Sequence, residues 1–420
     1  MLPIELIRTD PDRVRRAAEL KGEPAPIDEI LALDKQWREH LHKAEKIKEE
    51  QNKLSREFAK TRDEVLKDKL REMSDTAKEE LARADAVKRE LDDLLLRVPN
   101  LFHESVPVGK TEADNVVERE WGSKPELGFT PRTHYDLGES LGIMDFERAA
   151  RVAGSRFAFL VAEGARLERA LVQFMLDVHT REHGYTEVLP PVLVNSASMV
   201  GTAQLPKFGA DAFKVEGHDL WLVPTSEVPV TNLHREEILE ADRLPLKYVA
   251  YSPCFRSEAG AAGKDTRGFI RLHQFSKVEL VKVTAAETSM QDFEQLVADA
   301  EDILQRLGLH YQVLSMCTGD MGFAQYKKYD LMAWCPGQNR YLEVSSCSVF
   351  NDFQARRASI RYRSAPGAPP KFAHTINGSG LALTRTIDAI IETYQRADGM
   401  ISVPDVLKPY MGGVELIGAR

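Results

Sequence analysis

Three short stretches of this chain combine residue types that could bind and activate a small polar substrate. Thr225 and Glu227 lie in Val223-Pro224-Thr225-Ser226-Glu227-Val228-Pro229, and Arg256 and Glu258 in Ser252-Pro253-Cys254-Phe255-Arg256-Ser257-Glu258. Phe275, Lys277 and Glu279 lie in His273-Gln274-Phe275-Ser276-Lys277-Val278-Glu279-Leu280. On a β-strand, residues two apart share a face, so each set is expected to present its side chains together. Singly, each set reads as a cross-strand ion pair. Together they offer a carboxylate and hydroxyl for an ammonium group, a guanidinium fork for an oxyanion and an aromatic face for a base. That combination suits an amino acid held beside a nucleotide.

Two glycine-bearing segments invite phosphate-binding readings. The link Glu258-Ala259-Gly260-Ala261-Ala262-Gly263-Lys264-Asp265-Thr266-Arg267-Gly268 is a small-residue hairpin loop carrying the cations Lys264 and Arg267. A P-loop would need glycine where Glu258 stands and a hydroxyl residue where Asp265 follows Lys264, so that reading fails. Gly378-Ser379-Gly380-Leu381-Ala382-Leu383 half-matches a dinucleotide fingerprint but has Leu383 in place of the third glycine. Thr384-Arg385-Thr386-Ile387 follows and opens an amphipathic pattern. Arg385 would there add to backbone N–H groups that favour anions.

The elements that must position these residues alternate β-like runs with helical ones. Strands are expected over residues 184–191, 220–224, 246–255, 268–283 and 341–346, and helices over 167–182, 287–307 and 384–396. Hairpin-length links between the strands favour an antiparallel sheet flanked by helices, an α+β arrangement, over a parallel doubly wound one.

The N-terminal part reads differently. Apolar residues at Ile30, Leu33, Trp37, Leu41, Ala44, Ile47, Leu54 and Phe58, with Gln51 in the seam, repeat every 3.5 residues on average. The pattern resumes at Leu70, Met73, Ala77, Leu81, Ala84, Val87, Leu91 and Leu94. No Gly or Pro falls between Pro26 and Pro99. This predicts two antiparallel helices of about 30 residues, ~45 Å each, turning at Thr61-Arg62-Asp63 and projecting as an arm. Near the turn Lys53, Arg56, Lys60, Arg62, Lys67, Lys69 and Arg71 outnumber the acids among them. Such a tip could grip a phosphate backbone, although a mixed-sign helix surface is more often only solvated.

The 420 residues carry 56 Lys+Arg against 65 Asp+Glu, a net charge of −9. Residues 34–97 hold 17 basic and 17 acidic residues, so the remainder carries all of that excess. Nucleic acid would therefore have to bind local patches rather than bulk charge. No apolar run approaches the ~20 residues of a membrane span, and Glu5, Arg8 and Asp10 interrupt any secretory core at the start. Cys254, Cys317, Cys335 and Cys347 form no C-x-x-C. A reducing cytoplasm and no structural zinc are expected.

The order of these motifs resembles that of class II aminoacyl-tRNA synthetases. The resemblance rests on Thr225-Ser226-Glu227, Phe255-Arg256-Ser257-Glu258 with Arg271-x-x-x-Phe275, and Gly378-Ser379-Gly380-Leu381 leading to Arg385. Pro190, after a helix and a strand, resembles the dimer-forming motif of that class. With the two-helix arm, Asp145-Phe146-Glu147-Arg148-Ala149-Ala150, Gly154-Ser155-Arg156-Phe157 and Asp352-Phe353-Gln354-Ala355-Arg356-Arg357, nearly the whole chain is similar to bacterial-type seryl-tRNA synthetases.

The resemblance implies a tRNA-binding domain over residues 1–105, with its arm at about 28–97, and a catalytic domain over 106–420. It implies a cytoplasmic homodimer that uses ATP with Mg²⁺ to form seryl-adenylate and then charges tRNA(Ser); whether tRNA(Sec) is charged too is left open. Arg256 and Arg385 would be catalytic. Thr225, Ser226, Glu227, Arg256, Glu279 and Ser379 would hold serine. Arg256, Ser257, Glu258, Arg271, Leu272, Phe275, Arg385 and the run Glu343-Val344-Ser345-Ser346 would hold ATP, with Glu343 and Ser346 on Mg²⁺. Arg56, Lys60, Arg62, Lys67, Lys264 and Arg267 would meet tRNA. The threonyl and prolyl enzymes share Thr-x-Glu but carry a further C-terminal domain, for which only about 24 residues remain here. A non-catalytic coiled-coil scaffold would be expected to have lost Arg256, Glu279 or Arg385. A ligase acting on carrier proteins would have no use for the arm.

Overall fold

The computed structural model describes residues 1–259 and 268–418. It divides into two compact units, Met1–Pro99 and Asn100–Arg420.

In the first unit two short helices, Ile4–Thr9 and Pro11–Leu20, precede the long pair Ile27–Thr61 and Glu64–Leu95. Arg62 ends the first long helix in the left-handed region (φ 51°), and the Asp63 side chain caps the second through Val65 N. The turn is therefore where the loss of heptad register placed it. Ala44, Ala77, Ala84 and Leu91 are buried in the seam, and Gln51 Nε2 donates across it to Leu70 O at 3.2 Å. One seam residue differs from expectation. Leu81 is 42% exposed, and Glu80 turns inward beside His40, with Nδ1 2.7 Å from its carboxylate.

The second unit is built on an eight-stranded sheet. Its strands in chain order are β1 (Val116–Trp121), β2 (Thr186–Glu187), β3 (Leu246–Phe255), β4 (Gln274–Thr284), β5 (Tyr311–Ser315), β6 (Lys327–Cys335), β7 (Arg340–Asn351) and β8 (His374–Ala382). They pair in the order β1-β5-β6-β7-β8-β4-β3-β2, antiparallel throughout except for the edge pair β2–β3. Helices Glu163–Arg181, Ser289–Arg306 and Leu383–Thr393 supply Leu171, Phe174, Leu296, Ala300, Ile387 and Ile391 to the main core. Val278 and Leu280 of β4, Tyr329 and Leu331 of β6, and Val344 and Cys347 of β7 meet them there. Alternation along each strand leaves the intervening residues for the opposite face.

Two bulges change that alternation where it matters. Between β6 and β7 the register shifts so that Leu331 faces Ser345 and Met332 faces Glu343. Between β8 and β4, Ser379 faces Glu279 while Leu381 faces Val278, leaving Gly380 as the extra residue. An inserted residue lets side chains three apart share a face, where a regular strand would oppose them. Glu343 and Ser346, and likewise Ser379 and Ala382, thereby line one cavity. Gly378 and Gly380 lie on the core side. A Cβ on Gly378 would fall 2.4 Å from Leu296 Cδ2, and one on Gly380 2.8 Å from His179 Nε2. These glycines let helices approach the sheet, which accounts for the half-matched dinucleotide pattern without a phosphate loop.

Candidate functional site

The cavity on the open face of the sheet has a volume of about 570 Å³. It gathers Thr225, Glu227, Arg256, Glu258, Arg271, Leu272, Phe275, Glu343, Ser346, Ser379 and Arg385 from five separate stretches of chain. Their local conformations differ in places from a strand reading. Strand structure near residue 223 is confined to Trp221–Leu222, and Glu227 begins a short helix that ends at Thr231. Thr225 and Glu227 therefore converge through a strand-to-helix turn rather than across a pleat. β3 ends at Phe255, so Arg256 and Glu258 lie beyond it, and Glu258 adopts φ 51°. β4 begins at Gln274 rather than Gly268.

At one end Lys277 Nζ donates to Thr225 Oγ1 at 2.8 Å and forms a buried ion pair with Glu279. Thr225 Oγ1 donates to Glu279 Oε2 at 3.0 Å, and Asn377 Nδ2 approaches Glu279 Oε1 at 3.3 Å. Glu279 is thus tied into this end from behind the lining residues. Gln354 Nε2 donates to Glu227 Oε1 at 2.6 Å. Burial, reinforced by Glu279, pushes the Glu227 carboxyl up to about 7. A raised folded-state pKa means that Glu227 is protonated below that value and that ionising it as pH rises costs stability, unless a cation arrives.

At the other end, cations meet acids at the cavity wall. Arg271 Nη1 donates to Glu258 Oε2 at 2.8 Å. Arg385 Nη1 donates to the Glu343 carbonyl at 2.8 Å and lies 3.5 Å from Glu343 Oε1. Burial alone would raise Glu343, but Arg385, Lys328, Arg256 and Lys277 outweigh it and hold the carboxyl below its ordinary range. Between the two ends the Arg256 guanidinium lies 5.1 Å from the centre of the Phe275 ring, with Nε donating to Pro224 O at 3.3 Å.

Four further expected residues support the cavity without lining it. Ser226 bonds Ser252 at 2.6 Å, Ser257 donates to Ala210 O at 2.8 Å, Ser345 donates to Ser379 O at 2.6 Å, and Val344 is core. Lys264 and Arg267 lie outside the described residues. The cavity also contains Gln204, Asp211, Gln325, Lys328 and Asn377, which the motifs did not single out. Lys328 had a visible signal. Lys328-Tyr329-Asp330-Leu331 alternates polar and apolar residues as a half-buried strand should.

Residues 1–102 match the family model of the seryl-tRNA synthetase N-terminal domain, and residues 212–394 that of the class II tRNA synthetase core domain (G, H, P, S and T). A serine–tRNA ligase of Syntrophobacter fumaroxidans is 51% identical over 99% of this chain and 100% of its own length. One of Caldanaerobacter subterraneus is 53% identical over 98% of each. The crystal structure of a Pyrococcus horikoshii seryl-tRNA synthetase complexed with ATP superposes with a TM-score of 0.94 at 41% identity, covering 99% of both chains. A full-length cover at this identity, on the cavity just described, settles the affiliation. The chain belongs to the seryl-tRNA synthetase family of class II aminoacyl-tRNA synthetases.

Proposed function

We propose that the cavity activates L-serine with ATP and that the chain then transfers the seryl group to the 3′ end of tRNA(Ser), as a serine–tRNA ligase. The observation that carries this reading is the meeting of Thr225 and Glu227, the former bonded to the buried Glu279 behind it, with Arg256, Arg271 and Arg385 in one cavity. Serine-dependent exchange of pyrophosphate into ATP by the purified protein is the direct test, and its absence would reject the reading.

The reaction needs no protein nucleophile. The serine carboxylate attacks the α-phosphorus of ATP and pyrophosphate leaves, so the protein's task is positioning and charge stabilisation. Arg256 bridges the serine carboxylate and the α-phosphate. Arg271 holds the phosphates, and Phe275 and Arg385 enclose adenine, whose amino edge meets Glu258. Thr225 and Glu227 receive the serine ammonium; Glu279 and Ser379 receive its hydroxyl.

Glu343 and Ser346 would hold the Mg²⁺ that accompanies ATP. An ionised carboxylate and a hydroxyl are hard oxygen donors that suit a cation retaining waters and phosphate oxygens. Among the described residues no group of three or more His, Cys, Asp or Glu side chains is placed to hold a metal ion by itself. Bound there, Mg²⁺ would neutralise phosphate charge, while Arg385 and Lys328 keep Glu343 ionised to receive it.

Glu279→Gln is expected to raise the serine KM about 100-fold and the ATP KM less than about threefold. A site built around a hydroxyl acceptor loses most when that acceptor changes, whereas equal effects on both substrates would make Glu279 only the partner of Lys277. Glu227 gives a pH prediction. With a pKa of about 7, its carboxylate is mostly protonated at pH 6, so the serine KM should rise roughly five- to tenfold between pH 7.5 and 6. Glu227→Gln should flatten that profile; a profile unchanged in the variant would remove Glu227 from serine binding.

We place the enzyme in the cytoplasm as a homodimer. Support for reduced conditions comes from four buried free cysteines, and no helix among the described residues is long and apolar enough to cross a membrane. Support for dimerisation comes from Leu189, 90% exposed beside Pro190 and Pro191 in the segment that resembles the dimer-forming motif. Sedimentation at micromolar concentration should give twice the chain mass of 47.2 kDa; a monomer would refute the assignment.

A further inference from the structure

Behind the cavity wall formed by Phe269, Ile270 and Arg271 lies a sealed cluster that the reaction does not use. His134 opens the short helix His134–Ser140, while Asp388 and Glu392 lie one turn apart on the Leu383–Thr393 helix. All three are fully buried. His134 Nδ1 is 2.9 Å from Glu392 Oε1, and the His134 backbone N–H donates to the same oxygen at 2.9 Å. Gln338 completes Glu392 with its backbone N–H at 3.0 Å and its side-chain amide at 3.0 Å.

The other ring nitrogen faces the nucleotide side. Phe269 N–H donates to His134 Nε2 at 3.3 Å. A backbone amide can only donate, so in this contact Nε2 accepts while Nδ1 faces Glu392; against the effect of burial, Asp388 and Glu392 hold the ring's pKa above its ordinary value. Asp388 Oδ1 is 3.6 Å from Nε2, beyond hydrogen-bond range, which leaves that nitrogen to Phe269. Gly268 presses on the same ring. At φ +69°, a Cβ on it would fall 2.2 Å from His134 Nε2. The next residues reach the cavity directly, with Ile270 O accepting from Arg385 Nε at 3.4 Å and Arg271 gripping Glu258.

We propose that His134, braced by Glu392, is a positioning residue for nucleotide binding: its ring fixes Gly268 and Phe269, and through them aligns Arg271 and Arg385 on the ATP side of the cavity. The proposal rests on the assignment of those two arginines to ATP. A hydrogen-bonded imidazole buried between two elements holds backbone more tightly than an apolar residue of similar size, because losing it leaves the Phe269 amide unpaired.

The test is calorimetric ATP binding together with exchange kinetics on wild type, His134→Leu, His134→Gln and Gly268→Ala. His134→Leu should raise the ATP Kd and KM about tenfold or more and the serine KM less than about threefold. His134→Gln, whose amide oxygen can occupy the place of Nε2 and accept from Phe269, should stay within about threefold of wild type for ATP. Gly268→Ala pushes on the same contact from outside the helical core and should repeat the ATP-selective loss, which keeps the proposal testable if the leucine variant does not fold. Unchanged ATP binding in both the leucine and alanine variants overturns the proposal, as does a glutamine variant that loses as much as leucine. Wild-type protein that binds ATP but shows no serine-dependent exchange would reject the serine assignment, with the comparison of ATP Kd values still deciding for or against His134. Wild type that does not bind ATP would reject the nucleotide assignment and the proposal with it.

Discussion

Arg256→Ala is expected to lower serine-dependent ATP–pyrophosphate exchange by at least about 1,000-fold while leaving the chain folded. The guanidinium stands between the end lined by Thr225 and Glu227, with Glu279 behind them, and the end lined by Arg271, Glu343 and Arg385, and its charge acts on both Glu227 and Glu343. Its backbone N–H bonds His273 O at 3.0 Å, and its carbonyl lies 3.0 Å from His273 Nδ1, so the main chain is held independently of the side chain. Of its five N–H donors, only Nε meets an acceptor among the described residues, Pro224 O. The remaining four suit a carboxylate and a phosphate oxygen at once, the geometry required where negative charge gathers during attack. Removing one preorganised donor of this kind costs ~10²–10³ in rate, and here one side chain serves both reactants. Stability should fall by only ~0.5–1 kcal/mol for the lost contact with Phe275. Arg256→Lys keeps the charge but not the fork, and should still lose about 100-fold. Exchange within about tenfold of wild type in the alanine variant, a change of only ~1.4 kcal/mol, would remove Arg256 from the chemistry.

The sheet was legible only in part: β-like runs marked β2, β3, β4 and β7, whereas β1, β5, β6 and β8 lie outside the runs expected as strands. β3 begins and ends where the residue pattern placed it, at Leu246 and Phe255. The site was legible as residue types but not as geometry. Thr225 and Glu227 read as strand neighbours, yet they meet through a turn into a helix, because Ser226 takes helical angles before Val228 and Val230 are buried. Glu343 and Ser346 are three apart, a spacing that puts strand residues on opposite faces; only the bulge at β7 brings them together, and a bulge leaves no mark in local propensity. β4 starts six residues later than its β-like sequence suggests because Phe269 and Ile270 spend their backbone groups on His134 and Arg385 instead of on a neighbouring strand. That partner is more than a hundred residues away in the chain. In the same way Lys277 appeared only as a strand neighbour of Glu279, and its bond to Thr225 depends on a turn 52 residues earlier.

Shortening the arm should separate the two half-reactions. The distal part of the hairpin contributes little to stability, since Leu54, Phe58, Leu66 and Leu70 are only half-buried and Val65 is 74% exposed. The fully buried seam residues nearer the base, Ala44, Ala77, Ala84 and Leu91, and the His40–Glu80 contact are retained if residues 47–74 are replaced by a short glycine–serine turn. Serine activation by that variant should remain within about twofold of wild type, because the cavity draws no residue from Met1–Pro99. Charging of tRNA should fall by about two to three orders of magnitude in kcat/KM, mostly through tRNA affinity, if the tip holds a phosphate backbone. The tip has cations to spare for that purpose. Lys53 and Lys67 face Glu49 and Glu64, whereas Arg56, Lys60, Arg62, Lys69 and Arg71 make no ion pair among the described residues. Exposed arginines and lysines without local partners are free to release counterions from a nucleic acid. Arg56→Ala, Lys60→Ala and Arg62→Ala combined should therefore reduce the slope of log affinity against log salt by up to ~2.7, at ~0.9 per phosphate contact. If the shortened enzyme charges tRNA as well as wild type, and the triple variant keeps the wild-type salt slope, these charges only solvate a thin coiled coil.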